Sequence, residues 1–188
     1  MTGDAPLVGG LAGWPVPLRL QGLAACRAGL RDSLLALAPA SEPQAPAGPG
    51  TQDVLPPHRV LAIDRDFAAW PFDEPDVLQA LARWLRQPSR RLVLIGTDFD
   101  TTALRLPRFT RWRRDLVHRI DCWRPVDGLI PEGQRGLLAG DFGWRWLDTR
   151  DAQLQGLTDR VQRQAFEVGV ADFLQRCEPA WPVTTLGL

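Results

Sequence analysis

The chain of 188 residues carries 22 arginines against 22 acidic residues, contains no lysine, tyrosine or asparagine, and has a formal net charge of zero. This excludes Schiff-base and lysine-base chemistry, tyrosine acid–base chemistry and N-glycosylation, because every positive side chain is a guanidinium that stays protonated near neutral pH. A zero balance also excludes a generally basic nucleic-acid binder, while leaving room for a local patch.

A chain of this size buries roughly 70% of its unfolded surface as one domain without cross-links. Cys26, Cys122 and Cys177 are odd in number, far apart and outside any Cys-x-x-Cys spacing. With only His58 and His118 beside them, they predict buried, reduced thiols rather than a zinc site. Asp4 stands where a leader would be basic, and the apolar stretch 18–38 is broken by Arg19, Arg27, Arg31 and Asp32. Neither a signal peptide nor a membrane span is therefore expected, and the default location is the cytoplasm.

Residues 1–17, rich in glycine and proline, are expected to be irregular. Leu20, Leu23, Leu30, Leu34 and Leu37 fall on one helical face and predict a helix from 18 to 38 that belongs to the domain. The Pro/Ala/Gly-rich stretch 39–57 reads as a linker that cannot support a packed core.

From 58 to 178 the pattern alternates between strand and helix. Residues 60–63 form a short apolar strand ending at Asp64-Arg65-Asp66. Asp73 and Asp76 bracket a helix start with Pro75 in its first turn, and that helix stops before Pro88. The continuous apolar run 92–96 suits a strand covered on both faces. Pro107 then opens a helix carrying Phe109, Trp112 and Leu116 on one face.

Further strands are expected at 119–123, 136–139 and 142–147, the last two joined by Gly140-Asp141. A final helix runs from about Thr158 to Cys177, and the apolar tail 179–188 packs back on the sheet or seals a subunit interface. This order predicts an α/β fold with a single mixed, mostly parallel sheet sandwiched by helices.

Four carboxylates, Asp64, Asp66, Asp98 and Asp100, follow the two apolar strands, at the strand ends where α/β proteins bind ligands. Converged, they offer the oxygen ligands of a Mg²⁺-dependent phosphodiesterase or nuclease; as turn and cap residues, or paired with arginines, they do not. The segment 105–124 holds seven arginines against Asp115 and Asp121, with aromatic residues interleaved. Arg108, Arg111, Arg113 and Arg114 are its anion-binding candidates, for nucleic acid or another phosphate-bearing ligand. Alternatively they form a solvated face, or pair with the acidic segment 64–76. Ser33, Ser41 and Ser89 have no nucleophile elbow, and Cys122 with His118 four residues before it is a weak catalytic pair.

The layout around Gln134, Gly136 and Asp141 resembles the catalytic hairpin of the phospholipase D-like superfamily, whose signature is His-x-Lys-x-x-x-x-Asp. In this alignment Gln134 replaces the histidine and Gly136 the lysine, and only Asp141 matches. The resemblance implies half of a phospholipase D-like fold, catalytically dead by the phosphohistidine route, and a homodimer that pairs two halves. The segments around Phe67, Trp70 and Pro71, Trp84 to Arg86, Pro107 to Phe109 and the closing 182–188 also resemble a bacterial domain family without an established activity. Related domains occur fused behind GNAT acetyltransferase domains. The combined expectation is a non-catalytic binding or interaction module without a cofactor, its physiological partner unknown. The Mg²⁺-dependent enzyme and the nucleic-acid binder are the alternatives.

Overall fold

The computed structural model describes residues 19–38, 57–148 and 152–182. The N-terminus expected at 1–17, the linker expected at 39–57 apart from Pro57, and residues 183–188 of the tail lie outside the described residues. Among the described residues strand β1 (Arg19–Gln21) comes first and helix α1 (Leu23–Leu35) second, so Leu20, expected on the helical face, lies in an edge strand instead. Strand β2 (Arg59–Ile63) is followed by a 3-10 turn (Pro71–Asp73), helix α2 (Pro75–Leu85) and strand β3 (Arg91–Ile95). Two short helices, α3 (Phe99–Arg105) and α4 (Pro107–Arg114), lead into β4 (Ile120–Pro125). Strands β5 (Gly136–Ala139), β6 (Phe142–Asp148) and β7 (Gln153–Gly156) precede helix α5 (Arg160–Leu174) and strand β8 (Cys177–Pro179).

Among the described residues the eight strands form one mixed sheet in the order β1-β7-β6-β5-β2-β3-β4-β8. Only β2–β3 and β3–β4 pair in parallel, and the other five pairings are antiparallel. The mostly parallel sheet expected from the sequence is thus corrected to a mostly antiparallel one. Connection length decides this. Helices carry the chain back from β2 to β3 and from β3 to β4, whereas β5, β6 and β7 follow one another through turns too short for a crossover.

The two faces of the central strands meet different partners. Val60, Ala62, Leu92, Leu94 and Cys122 join the cluster built with α1, α2, α3 and α4. Leu61, Ile63, Val93 and Ile95 pack on Phe166, Val170 and Phe173 of α5. Helix α1 lies over β6, where Trp144 Nε1 donates to Ser33 Oγ at 2.9 Å.

Asp73 does not cap α2 as expected; Glu74 occupies that position, ahead of Pro75. Its carboxylate instead accepts from the backbone N–H groups of Arg108 (2.7 Å) and Phe109 (2.9 Å), satisfying the open end of α4. Replacing Asp73 with alanine is expected to cost about 1 kcal/mol, measured by urea denaturation. An unchanged midpoint would remove the capping role.

Candidate functional site

The carboxyl ends of β2, β3 and β4 meet the start of β5 along one edge of the sheet, because Ile63 pairs with both Ile95 and Gly136, and Ile95 pairs with Trp123. Asp64 leaves β2 at this edge and is 2% exposed. It accepts from Trp70 Nε1 at 2.6 Å and from the Arg65 N–H at 2.6 Å, and the Arg135 guanidinium donates to it from the start of β5. Asp66 accepts from the Ala68 N–H at 3.0 Å in an Asx turn.

Asp98 caps α3, taking the Thr101 N–H at 2.9 Å and the Thr101 hydroxyl at 2.8 Å. Those two bonds, helped by the charges of Arg65 and Arg124, hold its carboxyl below the usual carboxylate range. Asp100 is exposed in the first turn of the same helix. Asp64, Asp66 and Asp98 each have separate local partners, and Asp100 faces solvent. Among the described residues, no group of three or more His, Cys, Asp or Glu side chains stands close enough to hold a metal ion. The Mg²⁺ cluster of Asp64, Asp66, Asp98 and Asp100, the alternative to turn, cap and arginine-paired roles, does not assemble among the described residues.

The hairpin positions are equally separate. Gln134 and Asp141 lie at opposite ends of β5. Gln134 packs against Gly169 of α5, with its Oε1 buried and unpartnered. Asp141 is exposed in the β5–β6 turn, 3.6 Å from the Arg163 guanidinium. At Gly136 an added Cβ would overlap the Trp144 carbonyl oxygen of the paired strand, so no side chain fits where the signature has lysine. The Cys122–His118 pair does not form a nucleophile. Cys122 faces the core, burial pushes its thiol up to about 12, and His118 is exposed. All three cysteines are free; Cys177 is only half-buried, unlike Cys26 and Cys122.

The arginines divide by environment. Arg105, Arg108, Arg111 and Arg114 are exposed on α3 and α4, and none forms an ion pair among the described residues. Arg108 and Arg111 are neighbours one turn apart, and Arg114 lies a further turn on. Arg113 departs from the solvated face expected of it: it is 4% exposed, beneath Trp181. The acidic segment 64–76 does not neutralise the exposed four. Glu74 takes Arg27 and Arg31 (each 2.9 Å), Asp76 takes Arg31, Asp64 takes Arg135, and Asp73 caps the α4 backbone.

Sequence reasoning missed Trp70 and Arg135 as the partners of Asp64. No spacing rule announces a pair 71 residues apart. No helix among the described residues is long and apolar enough to cross a membrane.

No protein-family model matches the chain, and no curated protein matches it. Among solved structures it is similar in fold to TrmBL2, an archaeal chromatin protein whose structure "shows a novel mode of DNA binding". The TM-score is 0.58 at 11% identity, over 90% of this chain and 56% of that one. The chain therefore spans little more than half of that protein, and the likeness is one of fold.

Two substitutions test this geometry. Asp64→Ala leaves Arg135 and the Trp70 indole without their acceptor and is expected to destabilise the fold by about 3–5 kcal/mol in chemical denaturation. Gly136→Lys is expected to lose at least about 3 kcal/mol or to prevent folding, and not to restore hydrolysis. A stable Gly136→Lys protein would show that the β5–β6 pairing tolerates a side chain there.

Proposed function

We propose that the protein is a non-catalytic α/β module that binds nucleic acid through the arginine face of α3 and α4. The observation that carries this reading is the unneutralised charge of Arg105, Arg108, Arg111 and Arg114, left over after the nearby acids are taken by α1, Arg135 and the α4 backbone. Between 99 and 114 five arginines stand against Asp100 alone. A guanidinium cluster fits phosphate oxygens in bidentate geometry and draws a polyanion through counterion release. The fold likeness to a DNA-binding chromatin protein adds support. The non-catalytic part rests on Gly136 and Gln134, which supply neither cation nor nucleophile, and on Asp64, Asp66 and Asp98, whose carboxylates accept local hydrogen bonds. The Mg²⁺-dependent phosphodiesterase reading has no such support, since its four aspartates do not converge.

A short labelled DNA duplex followed by fluorescence anisotropy tests this. With four phosphate contacts, affinity is expected to fall about a hundredfold between about 50 and 200 mM salt. The double variant Arg108→Gln/Arg111→Gln is expected to flatten the log–log salt slope by about 2. Binding that is absent at low salt, or a slope unmoved by the double variant, rejects the arginine face as the binding surface.

A further inference from the structure

We propose that the cavity between α3, α4 and the segment following β8 is a binding site for a small molecule with an oxyanionic head, phosphate or carboxylate, held by Arg113 and Arg124. The cavity has a volume of about 600 Å³, and its walls include Arg113, Arg114, Arg124, Asp100, Glu178 and Trp181. That size suits a small organic ligand rather than a macromolecule.

Arg113 sets the argument. It is 4% exposed, its guanidinium lies 4.2 Å from the centre of the Trp181 ring, and one N–H donates to the Trp181 carbonyl. Its Nε has no hydrogen-bond partner, and no carboxylate pairs with it among the described residues. A buried charge without an anion is costly, and a guanidinium cannot shed its proton to escape the cost. Arg124 enters the same wall from the end of β4, and its Nε is likewise buried and unpartnered.

A buried guanidinium, Arg113, and a half-buried one, Arg124, lining one cavity fit an oxyanion, whose paired oxygens match the planar fork. Arg114 and Arg124 stand near Asp100, Glu178 and Asp98, whereas Arg113 has no carboxylate partner among the described residues, and such a head supplies one. Asp100 and Glu178 then accept from hydroxyl or ammonium donors on the rest of the ligand. The wall is set by packing: Trp181 stacks on Phe99 with ring centres 5.0 Å apart while covering Arg113. Arg114 borders both this site and the outer face, but the two readings separate because Arg113 and Arg124 line only the cavity and Arg108 and Arg111 lie outside it.

Isothermal titration of the full chain with inorganic phosphate, AMP and glutamate tests the proposal. Saturable binding is expected for at least one probe, with phosphate and AMP marking a phosphate head and glutamate a carboxylate. Arg124→Gln and Arg113→Gln are each expected to weaken it about tenfold or more. Arg113→Gln is checked for folding by circular dichroism; Arg124→Gln, at a half-buried position, carries the test if the former unfolds. The outer-face variant Arg108→Gln/Arg111→Gln is expected to leave the affinity unchanged. No saturable binding of any probe at millimolar concentration, or an equal loss in the outer-face variant, overturns the proposal. Absence of DNA binding by the unsubstituted chain, with the probe affinity intact, overturns only the preceding reading.

Discussion

The Asp64 carboxylate is the constraint around which the rest of the molecule is arranged. A buried anion is tolerated only when donors surround it, and each unmet donor or acceptor in such a network costs about 1–3 kcal/mol. Here the donors come from three places: the Arg65 backbone, the Trp70 indole and the Arg135 guanidinium. Satisfying one side chain therefore fixes the end of β2, folds the 64–74 loop back over the sheet and brings the start of β5 alongside. The antiparallel half of the sheet grows from that junction.

The folded loop in turn places the aromatic core. Phe67 has a positive φ of 53°, a conformation that bulky residues rarely adopt, and it persists because its ring is fully enclosed. From it a run of ring contacts passes through Trp70, Phe72 and Phe109 to Trp181, with centres 5.0–6.2 Å apart. Gly96 permits this approach at the end of β3, since a Cβ there would sit 3.0 Å from the Phe67 ring. Helix α4 is thus anchored twice, by Phe109 in the aromatic core and by Asp73 at its backbone. With its inner face so committed, Arg108 and Arg111 have nowhere to go but outward.

What the sequence makes legible follows from how local each signal is. The runs at β2 and β3 are recognisable because strands covered on both faces read as unbroken apolar segments. The α4 face of Phe109 and Trp112, and the α5 face of Phe166, Val170 and Phe173, are legible from helical spacing. Strands β1 and β8 are three residues each at the two edges of the sheet, and β7 is four residues with two glutamines, too short for any period to show. The parallel bias of the expected sheet came from weighting its strand–helix alternation over the short turns between β5, β6 and β7. At the candidate site the arginine-rich segment was visible as composition. Which of its members is buried depended on Trp181, 68 residues away, and no local pattern carries that.

Arg113 and its neighbours show why composition and environment must be separated. A chain without lysine uses arginine for every cationic position, so residue identity says nothing about which positions bind anions. Burial and pairing do. Arg27, Arg31 and Arg135 are neutralised by Glu74, Asp76 and Asp64, so these acids are not free to offset the arginines of α3 and α4. The same accounting leaves α4 with two unlike cationic surfaces. Arg108 and Arg111 are hydrated, screened by salt and suited to a mobile polyanion. Arg113 is desolvated, pushed below arginine's usual range by burial, and held over an indole whose face stabilises a cation without discharging it. A stacked cation still lacks a counter-charge, and at Arg113 that deficit sits on a helix of eight residues whose opposite side faces solvent.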